Sequence, residues 1–581
     1  MRDRARVASV VFLTTMALGA VGAGCGQLGF PYAHPSDDTD CEDIFSCPGG
    51  SGTGAGGAGT GGAGAGGAGT GGAGAGGAGT GGAGAGGVGG EGGQPPGPPQ
   101  CVPSEGDWTA DDHCGVFVSA RQGNDGNPGT PESPVKTLAR AVELATDLHA
   151  EDPPRRVYAC AETFEEALTI ETEVALYGGL DCTAHWQWDG STRTILTTPQ
   201  DAMAGTVPLT MRAVNTTVSL EDMDVVAPSI EAGHSGTSAI AAIAERCEAK
   251  LTRCTLQAGD AAPGAPGASS GSASAFDGNG GSHGNNACSA DHVSPNDPPL
   301  NNCGTPDPSD DSVGGRGGAG DSSFALSGES GSPGEQAHPN RGAYEDGVCQ
   351  DGSAGADGDN GSDGAGARGI GELMSTGYAG IAGGNGTDGK TAQGGGGGAG
   401  SKGGNAFISG RWRGCRDSDS NGGASGGSGG AGGCGGKAGK GGGPGGSSIA
   451  LVSLDAKLNL QDVLLKAGLG GKGGDGGAGQ PGGLGGRGGT GGQVPNDINT
   501  EGYPMSPGCN GGPGGTGGNG GRGGGGQGGH SLGIAFRTTA GMPPSLDNAT
   551  VEVDTAGTGG MGSGEAGNGA PGLAKDTLQF P

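Results

Sequence analysis

The sequence predicts an all-β fold, a β-solenoid whose stacked coils are interrupted by long glycine-rich insertions. Three observations predict it: an apolar signature that recurs in one register, a shortage of apolar residues, and glycine tracts that begin just after copies of that signature. Of 581 residues, 146 are Gly, 3% are aromatic and 31% are apolar, and the formal net charge is −31. Globular chains usually carry about 45–50% apolar residues, so one large core cannot cover this one. The acidic balance argues against a nucleic-acid partner, because phosphate binding needs a basic face.

The signature is L-x-x-Φ-x-Φ-x-Φ. It reads "LEDMDVVA" from Leu220, "LTRCTLQA" from Leu251, "LQDVLLKA" from Leu460 and "LDNATVEV" from Leu546. The third residue is Asp222, Arg253, Asp462 or Asn548, a polar corner where a rung bends. A further apolar residue stands eleven positions upstream in three copies (Leu209, Ile240, Ile449) and twelve in the fourth (Ile534), and these are aligned as one column. Such a shared register describes stacked coils.

Glycine follows the later copies directly, so the tracts read as insertions at one corner of successive coils. Lengthening a flexible loop from about 10 to about 190 residues costs roughly 2.6 kcal/mol of closure entropy. One buried Leu, Ile or Val contributes about 1.5–3 kcal/mol, enough to offset that. The chain divides into residues 1–25 (export signal), 26–100 (tether), 101–258 (cap and first rungs), 259–446 (insertion), 447–468 (rung), 469–530 (insertion) and 531–581 (last rung and tail).

At the N-terminus Arg2, Arg4 and Arg6 precede the apolar run "VASVVFLTTMALGAV" and then "GAGC". Basic, apolar and small-residue regions in that order describe a secretory signal. "GAGC" resembles the lipobox of bacterial lipoproteins, which implies lipidation of Cys25 and a membrane partner through a lipid anchor. Gly22 departs from the aliphatic residue usual there, and an ordinary cleaved signal is the other reading. Gly26, rather than Asp, implies by the same resemblance an outer-membrane lipoprotein of the cell envelope, with its periplasmic or external face left open. Setting Cys25 aside leaves 14 of the 15 cysteines, an even number suited to disulfides in an oxidising compartment. The tether repeats "AGTGGAGAGG" from Ala58 and closes with "QPPGPPQ". About 50 such residues span roughly 40 Å.

After Cys101, "CGVFVSARQGNDGNPGTPESPVKTLARAVELA" predicts a strand, a turn-rich loop and a helix with Leu138, Ala141, Val142, Ala145 and Leu148 on one face. The residues from Gly123 to Thr130 and from Ser133 to Leu138 resemble the N-terminal cap of right-handed parallel β-helix proteins of the pectin-lyase-like superfamily. That resemblance covers about 35 residues and implies a capping helix over the open end of the coil; caps of this kind serve many functions. "LYGGLDCTAHWQW" resembles a rung of exported bacterial β-helix proteins, with Cys160 and Cys182 as an implied pair. Trp186 and Trp188 alternate, so both could face one way, as packing or as a platform for an extracellular polysaccharide.

The tracts have period three, as in "GGKGGDGGAGQPGGLGGRGGTGGQ". They lack the proline and the unbroken register of collagen. They resemble the polyglycine II bundles of some glycine-rich antifreeze proteins and the glycine-rich surface proteins of mycobacteria. An ordered bundle must repay about 1–2 kcal/mol of entropy per residue with little apolar area, which tilts the expectation toward disorder. Cysteines in or beside the tracts would raise the odds of order if paired.

Asp417, Asp419 and Asn421 have the D-x-D-x-N-G alternation that points carboxylates at calcium, and Asp357, Asp359 and Asp363 in "DGDNGSDG" form a second acidic turn of that type. Solvated loops are the other reading, and the first turn lacks a Glu at its twelfth position. No C-x-x-C or H-x-x-x-H marks a zinc site. His234, in "GHSG", resembles the G-H-G of pectin hydrolases, but that family's N-T-D motif is missing. The expectation is therefore a non-enzymatic surface lipoprotein with a structural, adhesive or matrix-contact role. The competing class is a polysaccharide lyase or hydrolase, with Asp222, Arg253 and Asp462 at its rung corner.

Overall fold

The computed structural model describes residues 101–581, apart from 106–107, 109, 148–154, 305, 333–339, 346–347, 409–410, 416–419, 497–504 and 540–542. The signal, the tether and Cys25 lie outside the described residues, as do Leu148, Asp417 and Asp419. The fold is mostly β. Beyond Leu138–Asp147, helix among the described residues is limited to single turns at Pro308–Asp310 and Gly564–Gly567.

Three large sheets form the body. The first runs Val116–Val118, Arg156–Cys160, Val174–Asp181, Thr217–Glu221, Glu248–Thr252, Lys457–Gln461. The second runs Thr163–Glu165, Thr194–Thr197, Met223–Ala227, Thr255–Ala258, Val463–Ala467, Ala549–Val553. The third runs Leu168–Ile170, Leu209–Met211, Ala239–Glu245, Ser448–Leu454, Ser531–Arg537, Ala574–Gln579. Pairing along all three paths is parallel, and only the short Gln187–Trp188 strand joins the first sheet antiparallel. From Arg156 to Arg537 the chain visits the three sheets in repeating order, one strand in each per rung, an arrangement compatible with the expected solenoid.

The signature sets the register. Leu220, Leu251 and Leu460 stack in the first sheet, and Val225, Leu256, Leu465 and Val551 stack in the second. Alternate residues of Met223–Ala227 point inward, so Met223, Val225 and Ala227 are buried. Leu251, Leu256 and Leu465 are wholly buried in the central cluster. Three successive rungs bend at two left-handed corners each: Asn215 and Asp222 (φ +59° and +56°), Arg246 and Arg253 (+50° and +52°), Asp455 and Asp462 (+51° and +54°). Asn and Asp tolerate this region, whereas Arg pays roughly 1–2 kcal/mol that the stacked rungs must hold in place.

One column differs from expectation. Leu209 pairs with Ala242, which pairs with Leu451, which pairs with Ile534; Ile240 pairs instead with Ile449. The column is shifted by two residues because the rung of Leu209 carries Ala213 and Val214 as extra residues before its corner. Backbone bonds from Asn215 to Arg246 (3.0 Å) and Arg246 to Leu454 (2.9 Å) restore the register beyond them.

The predicted helix forms and packs on the first strands. Leu138, Ala141 and Ala145 are buried against the first strands. Asp125 Oδ1 accepts the N–H groups of Lys136 and Thr137 at 2.9 Å, tying the loop to the helix start. The Glu166 carboxylate accepts from the N–H of Leu138 (2.7 Å) and of Ala139 (3.1 Å), two of the donors a helix leaves open. Burial raises the Glu166 pKa, and those two bonds oppose the rise.

The glycine tracts are ordered, which corrects the tilt toward disorder. They leave the body at the corner between the second and third sheets and run as roughly straight segments joined side by side. Gly429 N–H donates to Gly315, Gly430 to Gly512 and Ala431 to Asn279, while Gly395 donates to Gly430 and Gly486 to Ala431. Three successive residues thus reach five different neighbours, and every third residue returns to the same one. That is the three-residue turn of a polyglycine II helix, which has no internal hydrogen bonds and so satisfies its backbone laterally. Each such bond is worth about 0.5–1.5 kcal/mol net, comparable to the entropy of ordering a residue.

Disulfides add to this. Cys288–Cys415, Cys303–Cys434 and Cys349–Cys509 cross the bundle, closing sequence separations of 127, 131 and 160. Cys160–Cys182 forms as expected, and Cys101–Cys114 ties down the entry to the body. Cys247 and Cys254 depart from complete pairing: both are free and buried at rung corners, and burial pushes the Cys254 thiol up to about 12.

Candidate functional site

Asp222 lies at the centre of the body's most polar buried cluster. Its side chain is nearly inaccessible, yet Arg253 Nε and Nη2 reach its two oxygens at 2.9 and 2.8 Å, and Trp188 Nε1 donates to Oδ2 at 2.9 Å. Arg193 adds a contact at 3.3 Å. Arg253 also bonds Glu221 Oε2 at 2.9 Å, and its guanidinium sits 5.4 Å from the Trp188 ring centroid. The hydrogen bond to Asp222 raises the Arg253 pKa. A buried carboxylate is tolerable only with such partners, and a bidentate Arg supplies the strongest. Both oxygens are engaged in holding two rungs together. Asp462, one rung further on, is exposed. The three corner residues therefore share a position without converging on one reacting point.

The two tryptophans do different things. Trp186 is 4% exposed, makes a T-shaped contact with Phe117 at 4.8 Å and donates to Pro131 O at 3.1 Å. Its φ of +59° turns it inward, a backbone state that alternation does not reveal. Trp188 is half-buried and has Arg253 on its ring. They do not form a paired stacking platform.

His234 lines an open cleft of about 650 Å³ with Glu165, Gln200, Met203, Ser229 and Glu231. The cleft lies between the two short loops, 198–208 and 228–238, that occupy the corner from which later rungs send out glycine segments. Its polar groups come from those loops and from the strand-end residues Glu165 and Thr197.

The acidic turn from Asp357 to Asp363 has a structural use that sequence reasoning missed. Parallel neighbours in the bundle leave the N–H of every third residue facing outward, and a side chain one segment away accepts it. Asp357 takes Thr516 N–H (2.7 Å), Asn360 takes Asn519 (2.8 Å) and Asp363 takes Arg522 (2.7 Å), each 159 residues along the chain. Asp277 takes Leu484, His283 takes Thr490 and Asn286 takes Gln493, each 207 residues along. Asp359 forms an ion pair with Lys390 at 3.0 Å, and Asn421 N–H donates to Asp291. Among the described residues no group of three His, Cys, Asp or Glu is placed to hold a metal ion. The signal for the ladder was present in the period-three spacing of Asp357, Asn360 and Asp363, which was read as a turn.

No helix among the described residues is long and apolar enough to cross a membrane. Comparison with protein-family models, with curated proteins and with solved structures finds no match to this chain.

Proposed function

We propose that the chain is a non-enzymatic, lipid-anchored surface protein. In this reading a right-handed parallel β-helix serves as a mount, and the glycine bundle is a stiff structural plate held out for adhesion or matrix contact. The observation that carries the reading is the side-chain ladder: Asp357, Asn360, Asp363, Asp277 and their equivalents close the bundle's own edge donors. Polar residues used in this way build a rigid surface. The buried Asp222–Arg253 pair supports it too, because both carboxylate oxygens are engaged in joining rungs. Lipid attachment at Cys25 and export to the outer membrane complete the proposal.

The test uses the full chain in a bacterial host with an outer membrane. Metabolic labelling with a fatty acid is expected to mark the wild type and not Cys25→Ala, and external protease is expected to release fragments only from the wild type. Label on both proteins, or protection of both in intact cells, removes the anchored-surface reading. Turnover of an acidic or neutral polysaccharide that survives purification would move the chain to the enzyme class.

A further inference from the structure

The segment that follows Val553 docks in a groove between two longer glycine segments, 468–494 and 508–530. Gly470, Gly473 and Gly476 donate to the carbonyls of Thr555, Thr558 and Met561, and Gly557 and Gly560 donate to Gly529 and Gly526. The groove is thus a row of donors on one wall and a row of acceptors on the other. The docked segment turns back at Gly562, and the groove continues without it. Along the donor wall come Gly479, Gly482, Gly485, Gly488 and Gly491; along the acceptor wall come the carbonyls of Gly523, Gly520, Gly517, Gly514 and Gly511. Among the described residues, no backbone group pairs with the N–H of Gly479, Gly485 or Gly488, and no N–H donates to those five carbonyls. Gly473 and Gly476 are buried where the segment covers them, whereas Gly479, Gly485 and Gly488 are half-exposed. Three side chains reach across: Arg522 Nε donates to the Gly476 carbonyl at 3.4 Å where the docked segment ends, Asn519 Oδ1 accepts Gly482 N–H at 3.0 Å, and Asn510 Oδ1 accepts Gly491 N–H at 3.1 Å.

We propose that this open groove is a self-association surface, occupied by the same face of a second copy of the chain. Two features select that occupant. The open rows continue an interface already built from backbone alone, so whatever covers them must present glycine backbone at a three-residue spacing. The two walls are also complementary to themselves. A twofold axis lying in the face, parallel to the segments, brings the donor wall of one copy over the acceptor wall of the other, and the reverse. Such an interface is closed and yields a dimer. The run from 478 to 491 is roughly 40 Å long at about 3.1 Å per residue. Asn510 and Asn519 act as partial plugs that keep the association weak.

Sedimentation of the full chain over a concentration series, read together with amide exchange of residues 478–491, tests this. The wild type is expected to dimerise at high concentration, with the amides of Gly479, Gly485 and Gly488 slowing as it does. Asn510→Gly with Asn519→Gly frees two more donors and is expected to tighten the dimer at least about tenfold. Asn510→Arg with Asn519→Arg fills the groove and is expected to leave a monomer whose melting is unchanged. Both positions carry exposed side chains, so the fold survives either pair. A glycine pair that stays monomeric, or a dimer whose 478–491 amides exchange at the monomer rate, overturns the proposal.

Discussion

In the three-sheet body, Leu251, Leu256 and Leu465 are wholly buried, and strand pairing aligns the columns in which they stack. In the glycine bundle, Gly429, Gly430 and Ala431 are buried just as deeply with nothing larger than a methyl group. The body gains from apolar area and tolerates any side chain of suitable volume at an inward position. The bundle gains from backbone hydrogen bonds, and each inward position tolerates one shape only. The two also differ in what their polar residues do. At the body's corners Asp222 and Arg253 lock one rung to the next, whereas in the bundle Asp277, Asp357 and Asp363 finish an edge.

The sharpest way to break this comparison is a single methyl group. A Cβ at Gly429 would overlap the carbonyl of Gly395, backbone that cannot rotate away. Gly429→Ala is expected to cost on the order of 4 kcal/mol or more. Limited proteolysis should then cut 259–447 rapidly while the strands of the body persist. A variant as resistant as the wild type would mean that the segments are not packed by backbone contact.

Removing Cys349–Cys509 ranks next. That bridge closes a separation of 160, and losses of about 4–5 kcal/mol are expected for loops of this order. Denaturant melts should show a larger loss than for Cys160→Ser with Cys182→Ser, whose separation is 22 and for which about 3 kcal/mol is expected. In the body, Leu465→Ala should cost about 2–5 kcal/mol and lower Tm of the whole molecule. Leu484→Ala, at a site 63% exposed, should be close to neutral.

The smaller effects separate edge from core. Asp277→Ala leaves the N–H of Leu484 to water and should cost about 1 kcal/mol, seen as faster local amide exchange. The Asp363 carboxyl is held below its usual range by Ser563 and the N–H of Arg522, and that of Asp475 by the N–H of Met561 and by Lys472. Their contribution is present above about pH 4 and is lost as pH falls through the lowered folded values, so acid should loosen the bundle. His530 acts in the same direction at a higher pH. It is wholly buried where the bundle rejoins the third sheet; its Nδ1 accepts from Leu573 N–H at 2.9 Å and its Nε2 faces Ile370 O at 2.8 Å. Burial lowers its pKa. The unfolded chain therefore binds a proton first, and stability should fall as pH drops below about 6.5. Thermal melts from pH 8 to 5 should lose that slope in His530→Gln.

The rungs were legible because their residues repeat. Val225, Leu256, Leu465 and Val551 declare one column although up to 209 residues separate neighbours, and Asp222, Arg253 and Asp462 declare its corner. The column through Leu209 was misread because two extra residues before Asn215 leave no mark in an apolar pattern. The direction of Trp186 was left open between packing and a platform for a related reason: it depends on a left-handed φ, which a non-glycine residue does not announce.

The sequence by itself determined an all-β chain whose coils stack in register and whose glycine enters at one corner. Apolar period and turn chemistry are local properties, and they survive any spacing between copies. Only the tertiary structure decided that the glycine is ordered, which segments lie together, and that Asp357, Asn360 and Asp363 cap backbone 159 residues away. A glycine triplet carries no side chain to name its neighbour. Its partner is fixed by where the rungs release and recover the chain, and by the disulfides that hold the released segments side by side.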